Sequence, residues 1–466
     1  MICKNILTAY QLENYNNIRF LKFIYTHPKF WISPPNRQKI VWTKKAKLLA
    51  VLTIFIFLSK LISIYLFVFP DGNLVIKIPL YILVFLALPI YMIFANFCLY
   101  PVDKYLKNKI ILQAKNKLSK FKNLKIIGIT GSYGKTSQKE ILETILKQKF
   151  KVLCSSGNKN TPLGVSEVIL NELDETYEVF IVEMGAYHIG DIKELCDLVK
   201  PNIGILTGIT IQHLERFGSL ENIIKAKFEL IESLDNFGLA IADISNENVK
   251  KGLDEKQEKL EVKNIVKISN PKKINYLEDL AGISFEYDGN LIQTKLLASH
   301  SANQIIISYE VAKYLGLNTK EILNGIKNID YIKHRLELIY NPNSNLYIID
   351  DSFNGNLEGV KSTIKLLENI KNHKRFYLTP GLVELGKESD NIHLEIGKLL
   401  SKVVDKVLLI DNNATKKILE GLINNGFNKY NIIIYKTTLN AHNDLRNVLK
   451  SGDVIVFQND WSDNYF

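Results

Sequence analysis

The sequence predicts an α/β protein in three parts: a two-helix transmembrane hairpin, a P-loop parallel-sheet domain and a C-terminal Rossmann-like α/β domain. Three observations predict it. The apolar run Lys125-Ile126-Ile127-Gly128-Ile129 leads through glycines into an amphipathic helix. From residue 124 onward, apolar runs of strand length alternate with helical patterns, the order that builds parallel sheets with ligands at strand carboxyl ends. Residues 46–69 and 78–100 are each apolar over a length that spans a bilayer core.

The chain has 466 residues, 47% of them apolar, which suffices for several domain cores. Its net charge of +11 is unevenly spread. Residues 1–48 carry nine Lys or Arg against Glu13 alone, and residues 101–122 carry seven Lys against Asp103. The excess therefore flanks the apolar region, which favours lipid over nucleic acid as the partner. Four cysteines without metal-binding spacing indicate a reducing compartment.

Residues 1–45 form a basic, aromatic segment with Phe20, Phe23, Tyr25, Phe30, Trp31 and Trp42 among Lys and Arg. A loose cytoplasmic lead-in and an interfacial segment on anionic lipid both fit this pattern. Residues 46–100 read as a hairpin of two membrane helices turning at Pro70-Asp71-Gly72-Asn73, with Lys60 in the first and Pro89 in the second. Positive charge on both outer flanks places both ends in the cytoplasm, giving a multi-pass protein of the inner (cytoplasmic) membrane. A Lys-rich connector, 101–123, follows.

Strands are expected near 125–129, 178–183, 203–207 and 238–242, with helices such as 137–149 and 219–234 between them. Residues 245–275 read as a charged surface segment, and 282–296 as a hairpin around Asp288-Gly289-Asn290. Helices near 303–316 and 319–327 close this domain, 124–330. The last domain, 331–466, has expected strands near 345–350, 375–379, 406–410, 431–435 and 453–457.

The loop Gly128-Ile129-Thr130-Gly131-Ser132-Tyr133-Gly134-Lys135-Thr136-Ser137 joins the first strand to its helix. Backbone N–H groups of such a loop, at a helix N-terminus, form an anion site suited to phosphate. Lys135 can reach β- and γ-phosphates, and the Thr136 hydroxyl can ligate Mg²⁺. The usual G-x-x-x-x-G-K-[ST] spacing is missed by one position, since Ile129 stands where the first glycine belongs. Glu183 ends the strand 179–182, where a carboxylate suits Mg²⁺. His213 lies in Gln212-His213-Leu214-Glu215-Arg216-Phe217-Gly218-Ser219, and Lys227 on the next helix. Singly, these are a strand-end acid, a structural histidine and a solvated helix face.

Together the segments resemble the Mur ligases, the ATP-dependent amide-forming enzymes of peptidoglycan precursor synthesis. They are most similar to the branch joining D-alanyl-D-alanine to UDP-N-acetylmuramoyl-tripeptide. The resemblance rests on residues 128–137, Glu183-Met184-Gly185-Ala186, Gly190-Asp191-Ile192, Leu195-Cys196 to Pro201, residues 212–219 and Lys225-Ala226-Lys227. In the last domain it rests on His334-Arg335-Leu336-Glu337, Asp350-Asp351-Ser352-Phe353-Asn354-Gly355-Asn356 and Gly381-Leu382-Val383-Glu384-Leu385-Gly386. It covers about residues 120–466.

The resemblance implies transfer of the ATP γ-phosphoryl group to a substrate carboxylate, then attack of an amine on the acyl phosphate. It implies that Lys135 is catalytic, that Thr136 and Glu183 hold one Mg²⁺, and that His213 holds a second. Lys227 matches the lysine that the family carbamoylates into an oxygen ligand. Arg335 and Asp351 would reach the nucleotide from the last domain. Asp243 stands where the family usually has an adenine-contacting Asn, and Tyr187 where an Arg is usual. The membrane hairpin occupies the place of the family's uridine-binding domain, which suggests a membrane-linked acceptor. An amide ligase for another envelope polymer, such as polyglutamate, and a non-catalytic membrane scaffold are the alternative readings.

Overall fold

The computed structural model describes residues 2–27, 40–68, 74–155, 159–211, 214–256, 258, 260–262, 264–353, 355–383 and 385–458. The expected turn at Pro70-Asp71-Gly72-Asn73 lies outside them, as do Phe30, Trp31, Gln212, His213, Asn354 and Glu384. The chain forms two compact units, one from Met1–Ile110 and one from Ile111–Ser462.

The first unit is helical: α1 (Ile2–Leu12), α2 (Asn17–Thr26), α3 (Lys44–Ser63), α4 (Leu74–Leu86) and the start of α5 (Leu88–Leu118). Its first residues are not a loose lead-in. Asn5 to Tyr10 of α1 are all buried, and Ile6, Leu7 and Tyr10 share a core with Phe20, Leu49 and Met92. The Asn16 side chain accepts from the backbone N–H groups of Ile18 and Arg19 and starts α2. The Gln11 amide pairs with both backbone groups of Val41, at 2.8 and 2.9 Å. Lys45 Nζ lies 3.0 Å from Asp103, tying the head of α3 to the middle of α5.

The hairpin expectation is met only in part. One stretch, Lys44–Leu66, is long and apolar enough to cross a membrane, and most of it is exposed. The second apolar region is two helices, Lys77–Leu86 and Leu88–Leu118, bent by 51° at Ala87. Pro89 accounts for the break: it lacks an N–H, its ring clashes with the carbonyl four residues back, and it disfavours helical geometry at Leu88. The pair is a second span only if both pieces are taken as one.

The second unit begins with a six-stranded sheet. Its elements in chain order are β1 (Lys125–Thr130), α6 (Lys135–Leu146), β2 (Val152–Cys154), α7 (Pro162–Asn171), β3 (Val179–Glu183), α8 (Asp191–Val199) and β4 (Ile203–Leu206). They continue with α9 (Leu214–Phe217), α10 (Leu220–Glu232), β5 (Leu239–Asp243), α11 (Glu247–Lys256) and β6 (Asn264–Ile268). The strand order is β2-β3-β1-β4-β5-β6, all parallel. β1 sits between β3 and β4, so the loop after it opens where the strand order switches side, the usual ligand crevice of such sheets.

Both faces are covered. Val165, Leu195 and Leu230 pack on one side, and Ile141, Ile305 and Ile326 on the other. The charged segment expected at 245–275 instead contains α11, β6 and part of a small antiparallel sheet: β7 (Ile274–Tyr276), β8 (Ile283–Tyr287) and β9 (Asn290–Thr294). β6 is an edge strand buried fully only at Ile268, so Asn264 and Lys267 dilute its apolar pattern. Helices α12 (Ser301–Tyr314) and α13 (Thr319–Lys327) follow.

The second six-stranded sheet comprises β10 (Glu337–Asn341), β11 (Leu346–Asp351), α14 (Leu357–Glu368), β12 (Arg375–Thr379), α15 (Ser389–Leu400) and β13 (Lys406–Ile410). Its remaining elements are α16 (Asn413–Asn424), β14 (Ile432–Tyr435), α17 (Thr438–Val448) and β15 (Val454–Gln458). The order is β10-β11-β15-β12-β13-β14, parallel except for β10, which pairs antiparallel with β11.

Candidate active site

The loop 131–134 links β1 to α6. Gly134 caps α6 in the left-handed region, with φ +79°, and leaves the helix N-terminus open. Gly131 is required by close approach, since a Cβ there would collide with Thr207 Oγ1. Thr207 Oγ1 donates to Tyr133 O at 2.6 Å, Ser132 N donates to Gly208 O at 2.6 Å, and Ser132 Oγ donates to Thr210 O at 3.1 Å. Asn246 Nδ2 donates to the Tyr133 hydroxyl at 3.2 Å, and burial pushes that phenol up to about 12. The loop is thus held from the chain just after β4 and from the chain after β5.

A cleft opens over this loop. It is lined by residues 131–137, by Asn160, Glu183, Phe217 and Lys227, and by Arg335, Phe353 and Asn356 from the last third of the chain. Lys135 Nζ donates to Gly131 O at 2.7 Å. Burial holds its ammonium below the usual range, with the Glu183 charge acting in the opposite direction. Thr136 Oγ1 donates to Glu183 Oε2 at 3.1 Å. Lys227 is 3% exposed, and burial, reinforced by the Lys135 charge, holds its amine well below the usual range.

An adjoining cleft of about 270 Å³ shares Tyr133, Gly134, Ser137, Arg335 and Asn356 with the first and adds His300, Gln304, Asp351 and Lys361. His300 Nδ1 lies 2.9 Å from Ser362 Oγ, joining the start of α12 to α14. The Arg335 guanidinium lies 5.0 Å from the Phe353 ring centroid. Arg335 sits between two residues in the left-handed region, His334 at φ +60° and Leu336 at φ +50°. His334 Nδ1 lies 2.7 Å from Asp350 Oδ2. Burial pushes the Asp351 carboxyl up to about 6, while Arg335 pulls the other way.

The residues present fit a magnesium nucleotide. A helix N-terminus, Lys135 and Arg335 offer positive charge to phosphates, and Thr136 and Glu183 offer hard oxygen donors. Gln304, which lines the second cleft, has a buried carbonyl oxygen without a hydrogen-bond partner among the described residues, an acceptor suited to a base amino group.

The structure thus brings Gly131, Ser132, Tyr133, Gly134, Lys135, Thr136, Ser137, Glu183, Lys227, Arg335 and Asp351 to two contiguous clefts. It leaves three expected residues outside the lining. Gly128 packs beneath, where a Cβ would meet Leu230 Cδ1 at 2.8 Å. Thr130 Oγ1 donates to Met184 O at 3.0 Å and ties β1 to the end of β3. Asp243 Oδ1 accepts from Ser245 Oγ at 2.6 Å and Asn303 Nδ2 at 3.0 Å, so it braces α12. His213 lies outside the described residues.

Sequence reasoning gave no separate role to four contributors. Asn160 O accepts from Gly185 N at 3.0 Å beside the cleft. Lys139 and Ser155 are buried next to Glu183, and Phe353 stacks on Arg335. Lys139 stands one helical turn after Lys135, a spacing that by itself does not mark it.

Comparison with known proteins accords with this geometry. Residues 129–312 match the Mur ligase middle domain, and residues 334–458 match the Mur ligase glutamate ligase domain. The chain belongs to the Mur ligase family. The UDP-N-acetylmuramoyl-tripeptide–D-alanyl-D-alanine ligase of Bacillus subtilis is 26% identical over 336 residues, 72% of each chain. The ligase of the same name from Rickettsia prowazekii is 29% identical over 342 residues, 69% of this chain and 75% of the relative. Among solved structures, MurF ligase from Thermotoga maritima in complex with ADP aligns with a TM-score of 0.65 and 26% identity, over 76% of this chain and 80% of that one. MurF from Acinetobacter baumannii aligns with a TM-score of 0.66 at 22% identity, over 77% and 78%, a likeness of fold.

Proposed function

We propose that this Mur ligase is an ATP-dependent, ADP-forming amide ligase of the MurF type, joining D-alanyl-D-alanine to UDP-N-acetylmuramoyl-tripeptide in peptidoglycan precursor synthesis. The observation that carries the reading is the convergence of Lys135, Thr136, Glu183 and Lys227 on one cleft, closed by Arg335 from the C-terminal part. MurF-named relatives over about seven-tenths of the chain support it.

The loop 131–134 and the N-terminus of α6 cradle the triphosphate, and Lys135 neutralises charge on the γ-phosphoryl oxygens as the substrate carboxylate attacks phosphorus. ADP leaves, and the amine attacks the acyl phosphate carbon, giving the amide and inorganic phosphate. Thr136 and Glu183 would hold Mg²⁺, with His213 the candidate for a second ion. The ion, when bound, offsets negative charge on the phosphates. Arg335 and Asp351 engage the nucleotide from the C-terminal part.

The buried, low-pKa Lys227 amine is suited to carbamoylation, because CO₂ adds to the neutral amine and releases a proton. The resulting carbamate would give an oxygen ligand on the α10 face.

The helical N-terminal unit anchors the enzyme in a membrane through Lys44–Leu66 and, taken as one bent span, Lys77–Leu118. Exposed Phe55, Leu58, Leu83 and Phe94 suit acyl chains, and Trp42, Tyr100 and Lys44 suit the headgroup level. Such a tether would hold the ligase near lipid-linked precursors.

The deciding experiment is phosphate release from ATP with UDP-N-acetylmuramoyl-tripeptide and D-alanyl-D-alanine. Release that requires both co-substrates, with the amide product found by mass spectrometry, supports the reading. Release only with glutamate acceptors would favour the polyglutamate-type ligase, and none with any pair would favour a scaffold.

A further inference from the structure

We propose that Lys139 sets the charge that Glu183 presents to a divalent cation, so that the cation binds together with nucleotide phosphates and not ahead of them. The inference rests on the reading of Glu183 as a metal-holding residue and adds a positioning residue to it.

Lys139 follows Lys135 by one turn of α6, so both face the end of β3. It is 5% exposed, an unusual place for a lysine. Its Nζ donates to Ser155 O at 2.9 Å and lies 3.5 Å from Glu183 Oε2. Ser155 is itself 1% exposed, and its Oγ accepts from Glu183 N at 3.0 Å. The fourth contact is the Thr136 hydroxyl on the same Glu183 oxygen, at 3.1 Å. Lys139, Ser155, Glu183 and Thr136 thus fix one carboxylate rotamer at the edge of the cleft.

The charges decide what this cleft attracts. Glu183 supplies one negative charge, and Lys139 cancels most of its field at short range in a poorly solvated place. Lys135 and Arg335 add positive charge on the cleft side. Glu140, half-buried on α6 beside Lys139, is a further carboxylate that feels this lysine. With Lys139 3.5 Å away and Lys135 close enough to feel its charge, Glu183 is a poor site for a lone divalent ion. Once the phosphates of a nucleotide bring their own negative charge, the same oxygens become a good one. Lys139 therefore makes cation uptake depend on nucleotide without touching the nucleotide.

The test uses the full chain in detergent, Mn²⁺ followed by electron paramagnetic resonance, and a fluorescent ADP. For the unaltered protein, Mn²⁺ binding should tighten by at least about tenfold when ADP is present. Lys139→Gln should shift two affinities in opposite directions: Mn²⁺ without ADP tighter by about tenfold, and ADP without metal weaker. Lys139→Arg, which keeps the charge, should behave as the unaltered protein. A merely structural role would weaken both affinities, and that result, or an unchanged Mn²⁺ affinity, overturns the proposal. Lys139→Met takes the place of the Gln variant if that one does not fold, with the same expectation. Glu183→Gln separates the two readings. If it leaves Mn²⁺·ADP binding intact, the metal role of Glu183 fails; if it abolishes that binding while Lys139→Gln gains nothing, only the role of Lys139 fails.

Discussion

Thr136 Oγ1 donates to Glu183 Oε2 at 3.1 Å, joining the first turn of α6 to the last residue of β3. The contact follows from the sheet. β1 and β3 are parallel neighbours with Ile129 opposite Glu183, so the helix entered after β1 starts beside the carboxylate ending β3. A hydroxyl and a carboxylate so placed can share one hard cation. Thr136→Ala and Glu183→Gln are each expected to lower kcat by about 10²–10³. The double variant should lose far less than the product of the two, because both act on one ion. Thr136→Ser should keep most activity. Steady-state kinetics across a Mg²⁺ titration checks this, and full additivity would separate the two residues.

Lys227 is expected to make activity depend on dissolved CO₂. Burial and the nearby Lys135 hold its amine well below the usual range, so more of the neutral form that reacts with CO₂ is present than in an exposed lysine. Activity in degassed, bicarbonate-free buffer should fall and recover on adding bicarbonate. Lys227→Ala should be nearly inactive and partly restored by a short carboxylic acid that supplies the missing oxygens. Equal activity with and without bicarbonate, and a carbamate-free lysine by carbon-13 NMR, would remove the carbamate from the scheme.

Asp351 gives a pH prediction with a defined sign. Its carboxyl is pushed up to about 6 by burial, against about 4 in an unfolded chain. Between those values the folded state binds more protons than the unfolded state. Stability therefore falls as pH rises through this window, and the charged form costs on the order of 2 kcal/mol above it. Asp351→Asn should raise the melting temperature at pH 8 and leave it near the original at pH 4. The same change should weaken ADP binding at pH 8, where the native carboxylate faces the second cleft. A lower melting temperature at pH 8 would contradict the assignment of burial as the cause.

How much of this was legible in the sequence depended on whether a signal was local. The loop 128–137 was readable because strand, turn and helix are contiguous and each has its own period. Glu183 was readable as a strand end. Lys139 was not, because its meaning comes from Ser155 and Glu183, which reach it only once β2 and β3 are laid beside α6. Asp243 was read toward the nucleotide, and the structure instead has it holding Ser245 and Asn303, a contact spanning 60 residues. β10 escaped the strand list because its only sheet partner is β11 and its last three residues are exposed. The packing of α1 was equally hidden, since its neighbours Leu49 and Met92 lie far along the chain.

The N-terminal unit gives the last prediction, which concerns membranes. Ile54, Phe55, Leu58, Ile62, Tyr65 and Leu66 are all at least 47% exposed on the Lys44–Leu66 stretch, an apolar surface too large for water to favour. Two kinds of attachment would look alike at low salt: adsorption of Lys44, Lys45 and Lys47 on anionic lipid, and insertion of the helix. Salt separates them, because exposed charges are screened beyond about 3 Å at 1 M ionic strength while buried apolar area is not. The full chain should float with vesicles of neutral lipid at 1 M NaCl. A chain of residues 111–466, which keeps both six-stranded sheets, should stay at the bottom and still bind ADP. Phe55→Glu together with Leu58→Glu should release the full chain from neutral vesicles. Flotation that needs anionic lipid and vanishes at 1 M NaCl would replace insertion by surface adsorption.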